Sequence, residues 1–181
     1  EQVSRLSPMK PLYVGLRVRM DNHRFGFSTN EIRKTIEHLA TVGLQVVVLH
    51  GHPGTSGTLN SYKNFISRFA QVVREYPFLL GVDIGGGLPG RTSLIERKEK
   101  IEQYAVLIRE HLGEFLRTRV LYVEPGRFLC EDAMILVARV CHVKNVEGQS
   151  FALLDAGINV LPRITMNPYR FFALTETGAR K

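Results

Sequence analysis

Three short stretches of this 181-residue chain hold residue types that could do chemistry: HGHPGTSG (His50–Gly57), DIGGGLPG (Asp83–Gly90) and VEPGRF (Val123–Phe128). The glycine triplet Gly85, Gly86 and Gly87 is costly to order, because glycine loses the most backbone freedom on folding. Bare N–H groups at a strand end can cradle phosphate oxygens. A tight turn explains a single glycine well enough, but three in a row followed by Leu-Pro-Gly favour a phosphate. The pattern is neither G-x-G-x-x-G nor G-x-x-x-x-G-K-[ST], which argues against nucleotide hydrolysis.

His50 and His52 stand two residues apart and, on a strand, would share a face. Such a pair could bind a metal, as in barrel hydrolases with a His-x-His strand end. Further ligands would have to come from later strands, and the third and fourth strand ends show no good set, so no metal is expected. The small donors that follow, Gly54, Thr55 and Ser56, suit an anion and favour a ligand pocket. In VEPGRF, a carboxylate buried at a strand end is costly unless paired. Glu124 and Arg127 could form a plain ion pair. Alternatively, Glu124 could meet a protonated ring nitrogen while Arg127 meets a phosphate or carboxylate.

The elements that must position these residues alternate apolar runs with helical periods. LYVGLRV (Leu12–Val18), LQVVVLHGH, FLLGVDIGGG and RVLYVEPGR read as four strands. Between them STNEIRKTIEHLATVG, NSYKNFISRFAQVVREY and ERKEKIEQYAVLIREHLGEFL read as helices, the first with Ser28 and Glu31 at capping-box spacing. EDAMILVARV has the acidic start of a further helix. Strand starts recur roughly every 32 to 40 residues, the length of a βα unit. Nearly continuous apolar strands with helical returns predict a parallel sheet covered by helices. The polar and glycine residues fall at the C-terminal strand ends, where α/β barrels place their sites.

After about residue 138 the period shortens, with Asn145–Gly148 as a turn between two candidate strands. The expected division is therefore 1–138, an α/β region, and 139–181, the beginning of an antiparallel β region. Four βα units make half of an eight-stranded barrel and would leave two sheet edges and an apolar face uncovered.

The composition, 44% hydrophobic with a formal charge of +7, is that of an ordinary globular chain. No apolar run approaches the roughly 20 residues that cross a bilayer. The basic residues are interleaved with acids and accompany no nucleic-acid motif, so neither a membrane nor nucleic acid is an expected partner. Two cysteines, Cys130 and Cys141, are too few for a disulfide framework; with no signal-peptide pattern, a cytoplasmic protein is expected.

In order and spacing, HGHPGT, DIGGGLPG, EPGRFL and LLDAGIN resemble the fold-type III pyridoxal-phosphate decarboxylases, the group of the diaminopimelate and ornithine decarboxylases. The resemblance runs from about Leu12 to Arg163, and LLDAGIN leans toward the diaminopimelate branch. It implies the second half of a (β/α)8 TIM barrel, with an alanine-racemase-like site, followed by the start of an antiparallel β domain. It further implies pyridoxal 5'-phosphate as cofactor, an amino acid as substrate, decarboxylation by the intact enzyme, and a homodimer. His52 would stack on the cofactor ring, and Thr55, Gly85, Gly86, Gly87, Gly126 and Arg127 would contact its phosphate end. Glu124 would face the ring nitrogen, while Arg127 and Arg163 would hold a substrate carboxylate. The lysine that binds the cofactor covalently sits in a Lys-Ala-Asn-like context on the first barrel strand of this family. That context does not occur here, so the chain reads as a fragment. Two alternatives stand beside this reading: a non-catalytic relative with a binding or regulatory role, and a metal-dependent barrel hydrolase using His50 and His52.

Overall fold

The apolar runs become four strands: β1 (Leu12–Arg17), β2 (Leu44–His50), β3 (Gly81–Asp83) and β4 (Val120–Tyr122). They are parallel throughout and hydrogen-bonded in sequence order. Returning helices are α1 (Ile32–Thr41), α2 (Leu59–Arg74), α3 (Arg91–Arg97) and α4 (Ile101–Leu116), and the short α5 (Gly126–Cys130) follows β4. This computed structural model describes residues 12–20, 24–55, 57–131, 133–162, 169–175 and 178–180. The chain divides into two compact units, Glu1–Met134 and Ile135–Lys181.

In the first unit, β1 alternates: Val14 and Leu16 turn toward the core, while Tyr13 and Gly15 are exposed. Val120 and Tyr122 on β4 are half exposed as well. Strands β1 and β4 are the two edges of the sheet, as expected of four βα units.

Helix α2 supplies more of the buried core than any other element. Its apolar residues at Tyr62, Phe65, Ile66, Phe69, Ala70 and Val73 follow the 3.6-residue period and are all buried. The Thr58 hydroxyl caps it by accepting from the Ser61 N–H at 3.2 Å. The glycine inside HGH has a packing cause, for a Cβ on Gly51 would lie 2.8 Å from Phe69 Cδ2.

Three local expectations are corrected. At α1, Glu31 accepts from the Ser28 N–H at 2.9 Å, which is half of a capping box. The Ser28 hydroxyl is spent on the Asn30 and Glu31 side chains, so the helix starts later, with Glu31 as its cap. The third helical stretch is two helices. Lys98 adopts φ 54° between them, and Glu99 accepts from the Tyr104 hydroxyl at 2.6 Å and from the Leu59 N–H at 3.1 Å. Those bonds reward a break in the chain more than a continuous helix would. EDAMILVARV forms no helix among its described residues; Met134, Ile135 and Val137 are exposed, and a short helix without a packed face is not stable in water.

The second unit contains the hairpin β5 (Val140–Val146) and β6 (Gln149–Leu154) and the pair β7 (Ala173–Thr175) and β8 (Gly178–Arg180). Glu147 and Gly148 join β5 to β6 with φ 50° and 80°, the hand of a two-residue hairpin turn.

Tyr62 is fully buried, and its hydroxyl finds no hydrogen-bond partner among the described residues. Burial pushes its pKa above the ordinary tyrosine range; burial, followed by the bond to Glu99, does the same to Tyr104. With folded values raised, this contribution to stability is complete below the unfolded pKa near 10 and is lost as pH rises above it. Resistance to urea should therefore fall between pH 7 and about pH 10.5. Tyr62→Phe should reduce that loss and leave stability at pH 7 within about 1 kcal/mol, because it removes a polar group that is buried unsatisfied. A cost of several kcal/mol at pH 7 would mean that the hydroxyl has a partner in solution.

Candidate functional site

Strand register brings the chemistry into one row. Arg17 pairs with His50, His50 with Asp83, and Asp83 with Tyr122. Just beyond that row, three loops leave the C-terminal ends of β2, β3 and β4, carrying His52, the glycine triplet and Glu124. The triplet is where these loops touch. Gly85 has φ +64° and Gly87 φ +76°, both in the region that favours glycine. A Cβ at Gly85 would lie 2.6 Å from His52 Cδ2, one at Gly86 2.6 Å from the Glu124 carbonyl oxygen, and one at Gly87 2.6 Å from the Gly54 carbonyl oxygen. Each glycine thus already has a cause inside the protein: the three loops interlock through it. The expectation that the backbone is bare for a phosphate is accordingly incomplete.

Backbone hydrogen bonds hold this assembly. The Gly85 N–H donates to Asp83 Oδ1 at 2.8 Å, the Glu124 N–H to the Gly85 carbonyl at 2.9 Å, and the Gly126 N–H to the Glu124 carbonyl at 2.8 Å. On the β2 side, the Gly54 N–H donates to His52 Nδ1 at 3.0 Å. That bond puts the proton of the neutral imidazole on Nε2 and fixes the ring plane. At the far end of the glycine loop, the Glu131 carboxylate accepts from the Thr92 N–H at 3.3 Å. A Cβ on Gly90 would overlap that carboxylate, so Gly90 is bare to admit it.

The two histidines part company. β2 ends at His50, and alternation holds only within a strand, so His52 lies in the loop. Their rings meet edge to face, with centroids 6.4 Å apart and planes at 88°. His50 instead faces the later strand ends: its Nε2 is 3.8 Å from Glu124 Oε2, and His50, Asp83 and Glu124 each offer a donor atom within 4.8 Å of the others. The expectation that the third and fourth strand ends offer His50 no good set of partners is thus corrected. Asp83 was missed because nothing in its local pattern marks it. Only the pairing of β2 with β3 places it beside His50.

Of the other expected site residues, Thr55 is exposed in the loop after β2, and Arg127 is half-buried on α5. Gly126 begins α5, and a Cβ there would meet nothing within 4 Å. Arg163 lies outside the described residues.

The profile of a family described as "Pyridoxal-dependent decarboxylase, pyridoxal binding domain" matches residues 16–131. The chain belongs to that family. Its cofactor is pyridoxal 5'-phosphate, and the matched region runs from the end of β1 through β2, β3 and β4 with the loops that follow them. The chain is 28% identical over 190 residues to the diaminopimelate decarboxylase of Buchnera aphidicola, covering 92% of this chain and 44% of that protein. It is 30% identical over 210 residues to that of Streptomyces coelicolor, covering 99% and 45%. Among solved structures it is similar to the lysine/ornithine decarboxylase of Vibrio vulnificus complexed with cadaverine, with a TM-score of 0.76 and 25% identity over 98% of this chain and 49% of that one. The chain therefore spans about half the length of the relatives it matches. The four βα units are the second half of a (β/α)8 barrel, and the strand pairs after them are the start of an antiparallel β domain.

The residues present suit that decarboxylase cofactor. Positive φ at Gly85 and Gly87 turns the loop at the strand end, and with no side chain at any of the three glycines an anion can approach its backbone closely. An imidazole of set orientation and a carboxylate that is 54% exposed, from Glu124, stand at the same strand ends. These are an aromatic surface and a charge for a cationic ring nitrogen. Among the described residues, no helix is long and apolar enough to cross a membrane.

Proposed function

We propose that this chain is the cofactor-anchoring part of a pyridoxal-phosphate-dependent amino-acid decarboxylase acting on diaminopimelate or a close diamino acid. One observation carries the reading: His52, the glycine triplet and Glu124 converge at the ends of three adjacent parallel strands, interlocked through glycines that admit no side chain. Residues 1–138 would be the barrel half and 139–181 the beginning of the β domain. The intact enzyme would be a cytoplasmic homodimer.

When bound, the cofactor supplies an electron sink for the bond-breaking step. The protein's residues do the rest. The N–H groups of Gly86 and Gly87, with Thr55 and Arg127, hold the phosphate, while Gly85 and Gly126, whose N–H groups are given to Asp83 and Glu124, line the cradle without side chains in the way. His52 lays its ring against the cofactor ring, its plane fixed by Gly54. The Glu124 carboxylate accepts the hydrogen bond of the ring nitrogen, and its charge favours a proton there. Arg127 and Arg163 hold the substrate carboxylate.

The purified chain should bind added pyridoxal 5'-phosphate. Borohydride reduction followed by intact-mass measurement then asks where the covalent lysine lies. Binding without a trapped adduct is the expected result. A stoichiometric adduct would place that lysine within these 181 residues. A folded chain that binds none would favour the non-catalytic relative. The convergence of His50, Asp83 and Glu124 favours a metal centre as the second reading. One retained equivalent of zinc on metal analysis would support it over the cofactor site.

A further inference from the structure

His50 is singled out by the sequence but left without a task by the cofactor site. Its Nε2 is buried and makes no hydrogen bond among the described residues. The nearest acidic oxygen is Glu124 Oε2 at 3.8 Å, about an ångström beyond a hydrogen bond. The side chain of His50 is 19% exposed and that of Glu124 54%, so the carboxylate is the freer of the two. Asp83, the other acid of the cluster, already accepts the Gly85 N–H at 2.8 Å. The charged and titratable groups in the same register row or at the same strand ends are Asp83 on β3, Glu124 after β4, Arg17 on β1, Tyr122 on β4 and His52 two residues on.

We propose that His50 is a positioning residue for Glu124: its Nε2–H donates to one carboxylate oxygen and leaves the other directed at the cofactor's ring nitrogen. The inference rests on the cofactor reading above. A buried N–H facing a half-exposed carboxylate is satisfied by a small side-chain movement of Glu124, whereas the ring itself is held at the end of a paired strand. A carboxylate gripped at one oxygen has fewer orientations to lose when the ring nitrogen arrives, so His50 would act on orientation more than on affinity for substrate.

The test uses the complete enzyme, with His50→Ala, His50→Gln, Glu124→Ala and the double variant His50→Ala/Glu124→Ala, each checked for folding by circular dichroism. Three quantities are read: the dissociation constant of the apoenzyme for pyridoxal 5'-phosphate, the pH midpoint of the bound cofactor's absorbance change, and kcat against KM. His50→Ala should lower kcat about ten-fold with KM little changed and move the absorbance midpoint by about one pH unit. His50→Gln, which keeps a donor, should recover most of both. In the Glu124→Ala background, His50→Ala should have no further effect. A folded His50→Ala enzyme with normal midpoint and kcat would overturn the proposal, as would effects that add in full to those of Glu124→Ala. Zinc held by the wild type and lost from His50→Ala would also overturn it and make the cluster a metal centre. If the wild-type apoenzyme binds no cofactor, the underlying cofactor reading fails, a result distinct from any of these.

Discussion

Glu124→Ala in the complete enzyme should lower kcat by about 10²- to 10³-fold, the scale on which loss of one preorganised electrostatic group is felt, while the cofactor stays bound. The two halves of this expectation have different physical sources. The side chain of Glu124 is about half exposed, but its backbone is tied to the Gly85 carbonyl on one side and to the Gly126 N–H on the other. Truncation therefore removes a charge from a fixed position without loosening the loop, and stability should change by no more than about 0.5 kcal/mol. Phosphate anchoring belongs to other residues, so cofactor absorbance should persist. Glu124→Gln should fall between, since the amide can still accept a hydrogen bond but carries no charge. Near-normal turnover of Glu124→Ala would remove the ring-nitrogen assignment, and loss of cofactor would move Glu124 into the anchoring set.

Gly86→Ala should damage both fold and cofactor binding. Its φ lies outside the positive region, so the substitution carries no penalty of backbone hand; the effect is steric. The new Cβ would stand 2.6 Å from the Glu124 carbonyl oxygen, a backbone atom that cannot rotate away. The loops after β3 and β4 must separate, at a cost of about 1–3 kcal/mol, and cofactor affinity should fall about 10- to 100-fold as Glu124 and the glycine N–H groups move apart. Thermal unfolding of the apoenzyme and a cofactor titration measure the two effects. Gly126→Ala makes the contrast: a Cβ there meets open space, so apoenzyme stability should hold, and only a cofactor resting on that backbone would make affinity fall. If Gly86→Ala leaves both quantities unchanged, the interlocking of the loops is looser than the described contacts imply.

Much of this protein could be read from its residues alone. The short β-branched run LQVVVLH reads as a strand and the stripe in NSYKNFISRFAQVVR as an amphipathic helix, because each pattern suits one backbone geometry. The turn before Gly148 was legible for the same reason, and family membership followed from short motifs in fixed order. What the sequence could not decide depends on neighbours distant in the chain. The break at Lys98 comes from Glu99 reaching Tyr104 and Leu59, and the missing helix after Glu131 from a segment whose apolar side chains stay exposed. The glycine triplet reads as bare for a ligand, whereas the fold shows His52, Gly54 and Glu124 pressed against it. Spacing pairs His50 with His52, because alternation is a local rule; the sheet register sets His50 beside Asp83 instead, and the loop after β4 brings Glu124 to them. Local periodicity determined which elements form, and only the lateral pairing of strands, set by atoms far apart in sequence, decided which side chains meet at their ends.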